Sequence, residues 1–295
     1  MKFLRCLMES LLETDTCLIT GASKGLGEVL VRRFWLAGYS LHLVARDENA
    51  MEFLSSSLPE REMQTCTIHV CDFNGQDSIM GLVQSIKANT PRLGVLINNA
   101  AIQGPIGPLC ENDLSAWQQT LQVNLLAPVA LCQGLIPLMR KSDGASIINL
   151  SGGGATGPRA NFSSYATAKA GLIRFSETIA DELKGDGIRV NCIAPGAMKT
   201  AMLQEVLQKC DAAGTREASL ASEVFAKGGA SMDRVADLAL FLASDASKGI
   251  TGKLISAVWD DWEHWPDHMN ELSTTDVYTL RRIAGRDRGF EWGDK

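Results

Sequence analysis

The sequence lacks several things, and each lack removes a class of explanation. None of its eight cysteines stands in a CxxC pair. Cys6, Cys17, Cys66, Cys71, Cys110, Cys132, Cys192 and Cys210 are scattered, several inside apolar runs, and read as small core residues in a reducing compartment. Basic residues form no long block and the net charge is -6, which argues against nucleic acid bound mainly through its phosphates. No apolar run approaches membrane-spanning length. Met1 to Leu12 carries Lys2, Arg5 and Glu9 around a short apolar patch and offers no clean small-residue cleavage site. These lacks together predict a cytoplasmic protein without a membrane or nucleic-acid partner. With 45% hydrophobic and 21% charged residues, the 295-residue chain has the composition of an ordinary globular protein and the length for a well-buried core.

What is present is organised around Thr20-Gly21-Ala22-Ser23-Lys24-Gly25-Leu26-Gly27. This stretch follows the apolar run Cys17-Leu18-Ile19 and leads into Glu28 to Leu36, where apolar positions recur at helical spacing. It reads as a strand, a tight glycine turn and a helix start. Glycine tolerates φ > 0 and has no Cβ, so such a turn lets the backbone approach a pyrophosphate, whose charge the free N–H groups and the helix N-terminus offset. A purely structural glycine turn is the plainer alternative.

Further strands are predicted at Leu41 to Ala45, Gln64 to Val70, Gly94 to Ile97, Ala145 to Leu150, Arg189 to Ile193 and Lys253 to Ala257. Helical patterns fall between them, at Gln76 to Ala88, Asp113 to Arg140, Phe162 to Lys184 and Asp233 to Ala243. Strict alternation implies a parallel, doubly wound α/β sheet. The polar, helix-compatible stretch from about 198 to 229 resembles a mobile lid.

At the end of the second strand a dinucleotide-binding domain meets the adenosine ribose, and there the first polar residue is Arg46. With Lys24 in the glycine turn it favours the 2′-phosphate of NADP(H) over NAD(H). Asp47 blunts this if it turns inward, and two solvated surface cations are the bland alternative. Asp72, ending the third strand, is placed for the adenine edge. Asn98 and Asn99, ending the fourth, are expected to satisfy local backbone. Pro128 removes the N–H that the Asn124 carbonyl would accept from, so the long helix should distort there and expose a carbonyl able to hold water.

Tyr165 and Lys169, four apart, share one helix face. A free tyrosine titrates near pH 10, and an adjacent ammonium favours its phenolate; a fall of about three units corresponds to about 4 kcal/mol. So tuned, the phenol could carry the proton of a carbonyl/alcohol pair while a nicotinamide carries the hydride.

In this order, TGxxxGxG at Thr20 to Gly27, Asp72, Asn98-Asn99-Ala100-Ala101, Asn124, a serine ending the fifth strand, Tyr165-Ala166-Thr167-Ala168-Lys169 and Pro195-Gly196 with Thr200 resemble the motif series of the short-chain dehydrogenase/reductase family. The resemblance spans about Thr16 to Ala257 and implies a single Rossmann domain with a seven-stranded sheet. It also implies an Asn124–Ser151–Tyr165–Lys169 site, in which Tyr165 is the acid/base, Lys169 lowers its pKa and binds the nicotinamide ribose, and Asn124 holds a relay water. Cofactor contacts fall to Gly21, Ser23, Lys24, Gly25, Leu26, Gly27, Arg46, Asp72, Asn99, Ala100, Pro195, Gly196 and Thr200, with Thr200 at the carboxamide. Pairing of the helices bearing Asn124 and Tyr165 across a homodimer, or within a homotetramer, is implied too.

Two departures stand out. The family's serine most often lies thirteen residues before the tyrosine, where this chain has Gly152 and Ser151 lies fourteen before. Neighbouring residues leaving a strand point opposite ways, so Ser151 serves only if the glycines after it shift the register; otherwise Ser163, Ser164 or a water orients the carbonyl. The second is the tail, 259–295, beyond a domain spanning 1–258; it holds four of the six tryptophans together with Arg281-Arg282 and Arg286-Asp287-Arg288. It either packs on its own domain or a neighbouring subunit, or closes over the substrate, with tryptophans for a sugar-like face and arginines for an anion. His264 and His268 mimic a metal pair, but Pro266 between them disfavours a regular helix, and no metal is expected. The expectation is an NADP(H)-preferring oxidoreductase acting on a small polar or sugar-like molecule. A silent dinucleotide-binding scaffold and a redox-neutral epimerase are the alternatives.

Overall fold

In the computed structural model, residues 15–292 are described; the reading of Met1 to Leu12, and Cys6 with it, lies outside the described residues. Seven strands run β1 (Thr16–Thr20), β2 (Ser40–Ala45), β3 (Cys66–Val70), β4 (Val95–Asn98), β5 (Ser146–Leu150), β6 (Arg189–Ala194) and β7 (Leu254–Ser256). They form one sheet in the order β3-β2-β1-β4-β5-β6-β7, and every pair is parallel. Such a sheet buries both faces, which is why β1, β2, β4, β5 and β6 read as nearly unbroken apolar runs. The chain winds one way from β1 to β3 and the other way from β4 to β7, so a crevice opens at the carboxyl ends of β1 and β4.

Helices α1 (Leu26–Leu36), α2 (Glu48–Ser56), α3 (Gln76–Asn89), α4 (Leu114–Leu121), α5 (Ala127–Met139) and α6 (Ser163–Glu182) fill the crossovers up to β6. One core lies between the sheet and α1 with α10 (Met232–Ala243), and the other between the sheet and α3, α5 and α6. The long apolar helix is distorted where Pro128 predicts it: Gln122–Leu126 between α4 and α5 is a π turn. One expectation is corrected here. Counted as one helical element, Leu114–Met139 is long and apolar enough, by length and composition, to cross a membrane. Helical continuity across the polar residues of the π turn joins shorter apolar runs, and Val123, Ala127, Leu131, Leu135 and Met139 are spent on the domain core.

The stretch following β6 folds as three short helices, α7 (Ala201–Gln208), α8 (Cys210–Ala213) and α9 (Thr215–Lys227). Val206, Ala213 and Ala221 pack with Phe162 and Ile106 in a small core of their own. The tail turns back onto the domain. Trp262 and Trp265 are buried in the same core as α1 and α10, with Trp262 against Phe241. Further on, the Tyr278 carbonyl accepts from Leu254 N at 2.8 Å, covering the outer edge of β7, and Lys253 Nζ donates to the carbonyls of Thr275 and Val277. These aromatic rings serve the fold, whereas Trp259 and Trp292 are exposed.

Candidate active site

The glycine turn is closed by backbone against backbone. Gly21 and Gly25 have φ of 64° and 58°, and a Cβ on Gly27 would stand 1.9 Å from the Gly21 carbonyl oxygen. Thr20 Oγ1 donates to Ile97 O and accepts from the amides of Asn99 and Ala100, while Asn99 Nδ2 donates to the carbonyls of Thr20 and Gly21. The exits of β1 and β4 are thereby joined, which is the structural use expected of Asn99. Asn98 likewise donates to Asn149 on β5. Helix α1 starts at Gly25 with no side-chain cap. Its first amides therefore face the crevice without a side-chain acceptor, and Ser23 and Lys24 form the lip. Thr200 caps α7 through Leu203 N and lies across the turn, its methyl 3.9 Å from where a Cβ on Gly25 would be. It is reached through Pro195 and Gly196, the latter at φ 80°.

At the next strand end Arg46 is exposed, and Asp47 caps α2, accepting from Ala50 N at 3.0 Å. Asp72 is exposed and holds the turn after β3 by accepting from Asn74 N.

Tyr165 and Lys169 lie on α6, both buried. Position 152 faces the phenol: a Cβ on Gly152 would stand 2.4 Å from the Tyr165 hydroxyl. The departure at Gly152 thus leaves the phenol closer to the β5 exit than a side chain there would allow without the ring moving. Ser151 is also buried, and its Oγ makes no hydrogen bond. Asn124, in the π turn, clamps the chain after β4 with its side chain, which donates to Ile102 O at 2.8 Å and accepts from Ile102 N at 2.9 Å.

The electrostatics differ from expectation. Burial pushes the Tyr165 phenol up, and the opposing pull comes from Arg159 rather than from Lys169. Lys169 Nζ sits 5.8 Å from the centre of the Tyr165 ring and donates to the Leu150 carbonyl at 2.7 Å. Burial brings its own pKa down to about 8.

Sequence reasoning missed Arg159. Its guanidinium lies 3.7 Å over the Phe162 ring and 5.9 Å from the centre of the Tyr165 ring. Its Nε and Nη2 both donate to one carboxylate oxygen of Glu217, on α9, at 2.9 and 2.8 Å. Beside this pair, Asn161 Nδ2 donates to Ala213 O, so the loop before α6 is fastened to the α7–α9 segment at two points.

Comparison with known proteins places this arrangement. A model of the short chain dehydrogenase family matches residues 15–211. This chain belongs to that family. It is 32% identical over 248 residues to the 3-oxoacyl-[acyl-carrier-protein] reductase FabG of Thermotoga maritima, covering 83% of this chain and 96% of that one. Over 204 residues it is also 32% identical to the oxidoreductase YciK of Escherichia coli, covering 66% of this chain and 77% of the relative. Among solved structures, a short chain dehydrogenase from Shigella flexneri complexed with NADP superposes with a TM-score of 0.73 at 28% identity, over 84% of this chain and 99% of that one. Family and sheet topology agree: this is a Rossmann-type oxidoreductase fold of the short-chain kind. Neither the silent scaffold nor the epimerase gains support from these relatives.

Proposed function

We propose that this chain is a cytoplasmic NADP(H)-dependent oxidoreductase that interconverts a carbonyl and a secondary alcohol on a small polar substrate. The observation that carries the proposal is the buried Tyr165–Lys169 pair, set against a side-chain-free position 152 where β5 leaves the sheet, two strands from the glycine turn of β1. The turn fits a dinucleotide: it closes so tightly that a Cβ at residue 27 would force it open, and the first turn of α1 has no side-chain cap. Gly21, Ser23, Lys24, Gly25, Leu26 and Gly27 would hold the pyrophosphate and Asp72 the adenine edge. Asn99, Ala100, Pro195, Gly196 and Thr200 would line the nicotinamide half. Arg46 supports the phosphorylated cofactor, because Asp47 is committed to its helix cap and leaves the cation as the charge facing the ribose end.

When bound, the nicotinamide supplies or accepts the hydride. The chain's own residues handle the proton and the orientation. Tyr165 Oη gives the proton to the carbonyl oxygen or takes it from the alcohol. Lys169 orients the ribose and Asn124 supports a relay water through the π turn. Ser151 Oγ is buried and unengaged, but position 152 is the one that faces the phenol, so Ser151 orients the carbonyl only through a shift of the glycines after it; unchanged turnover in Ser151→Ala would remove it from the site. A homodimer through the helices bearing Asn124 and Tyr165 is supported by Leu114 and Leu126, which stand exposed on the long helix. The sugar-like substrate loses the stacking argument for Trp262 and Trp265, which belong to the core.

A panel of ketones, aldehydes, alcohols and sugar derivatives assayed with NADPH and NADH side by side tests the proposal. The expected outcome is turnover with NADPH favoured. Absence of turnover on every class, with the cofactor bound, would refute it.

A further inference from the structure

We propose that Arg159 is a positioning residue for the proton chemistry of Tyr165, and that Glu217, carried by the α7–α9 segment, sets how much of that positive charge Tyr165 feels. This rests on the assignment of Tyr165 as the proton carrier.

The geometry is that of a second cation where only one is foreseen. Lys169 and Arg159 approach the Tyr165 ring at 5.8 and 5.9 Å, the first from its own helix and the second from the loop before it. They are not equivalent. The ammonium is turned to the Leu150 carbonyl, whereas the guanidinium is planar, permanently charged and stacked on Phe162. A positive charge within about 6 Å of a buried phenol favours its phenolate. Arg159 is fixed in that place by three contacts: Phe162 beneath it, the Gly153–Gly154 backbone beside it, and Glu217 in front. Residue 154 is side-chain-free where Arg159 passes: a Cβ on Gly154 would lie 3.0 Å from the Arg159 Cβ.

Among the described residues Glu217 is the acidic partner of Arg159, and the two side chains are 14% and 15% exposed. The carboxylate cancels part of the guanidinium field at Tyr165 while fixing its position. Of the other charged and titratable groups around Tyr165, Lys169 shares its helix and Cys192 of β6 lies behind Lys169. Because Glu217 belongs to the α7–α9 segment and not to the sheet, the acidity of Tyr165 depends on where that segment sits. The same segment borders the loop that leads into α6, through Asn161 and Ala213.

The two partners of the ion pair have opposite signs, so their removal separates an electrostatic role from a structural one. The chain has three tyrosines, which makes Tyr165 assignable in tyrosinate absorbance or carbon-labelled tyrosine NMR by subtracting the matching Tyr165→Phe spectrum. Arg159→Gln is expected to raise the Tyr165 midpoint by about one pH unit, and Glu217→Gln to lower it by about half a unit. Arg159→Lys should lie between wild type and Arg159→Gln. Where turnover is measured, the Tyr165 limb of the kcat/KM pH profile should move the same way. Shifts of the same sign in the two neutral variants, or no shift in either, would overturn the proposal. If Arg159→Gln fails to fold, Glu217→Gln decides alone, since it keeps the guanidinium: a midpoint that stays or rises overturns the coupling. The titration reads the phenol whether or not a substrate turns over. Opposite shifts without dehydrogenase activity would therefore refute the assigned reaction and leave the coupling standing, and activity without the shifts would do the reverse.

Discussion

Two glycine-rich exits leave the same end of the sheet, one from β1 and one from β5, and their glycines are there for different reasons. In Thr20 to Gly27 the chain closes on itself, with the Gly27 Cα side pressed against the Gly21 carbonyl. In Ser151 to Gly154 the backbone makes way for side chains brought from elsewhere: the Tyr165 phenol at Gly152, and Ala166 with the Arg159 stem at Gly154. A demand of backbone on backbone over six residues is local and leaves a spacing that can be read. A demand of backbone on a ring thirteen residues away, delivered by another element, leaves only a run of glycines whose purpose the sequence does not state.

The comparison breaks hardest at the ring itself. Tyr165→Phe keeps the packing and removes the hydroxyl, so kcat should fall by about 10³-fold, the range of a lost general acid/base, with cofactor affinity unchanged. Steady-state rates and cofactor fluorescence titration check both halves. Gly27→Ala attacks the other exit. Its Cβ meets a carbonyl that cannot rotate away, so the turn must open; cofactor affinity should fall by about 10²-fold and thermal stability with it. Gly152→Ala meets the end of a side chain instead. The ring can tilt, so kcat should fall by about tenfold while cofactor affinity and melting temperature hold. If Gly152→Ala weakened cofactor binding as much as Gly27→Ala, the two exits would be one site and the contrast would fail.

The same distinction explains what the sequence made legible. The seven strands follow from apolar runs and the parallel order from their alternation with helices, because burial of both faces forces that pattern. Pro128 announced the π turn at Gln122–Leu126, since a missing N–H acts within one turn of its own position. The tail tryptophans were ambiguous: Trp262 reaches Phe241 and Trp265 reaches Tyr278, and no local rule says which surface an aromatic segment will choose. Arg159 and Glu217 are 58 residues apart and carry no periodic signal; the pair exists only because the α7–α9 segment folds over the loop before α6. The spacing of Tyr165 and Lys169 placed both on one face. It did not reveal that Lys169 would be engaged by Leu150, nor that burial would push the phenol up with Arg159 opposing it.

The smallest effect concerns what it takes to hold that cation in place. Lys169 is 2% exposed, and burial brings its pKa down to about 8 from the 10.5 of a free lysine. Between those values the unfolded chain binds more protons than the folded one, so stability rises with pH across about 8 to 10.5. Below pH 8 both states are protonated and the folded protein carries the full cost of the buried charge, at most about 3 kcal/mol for a shift of this size. Lys169→Met removes that cost but also the hydrogen bond to the Leu150 carbonyl, worth about 1.5–3 kcal/mol. The variant should therefore be inactive yet more stable than wild type at neutral pH, by about 1 kcal/mol, a gain that shrinks as the pH rises towards 10.5. Denaturant unfolding at neutral pH and near pH 10 measures the difference, and groups titrating alike in both chains cancel from it. The glycine turn offers no such trade, because what prepares it for a ligand is backbone conformation and the uncapped amides of α1, with no buried charge to carry.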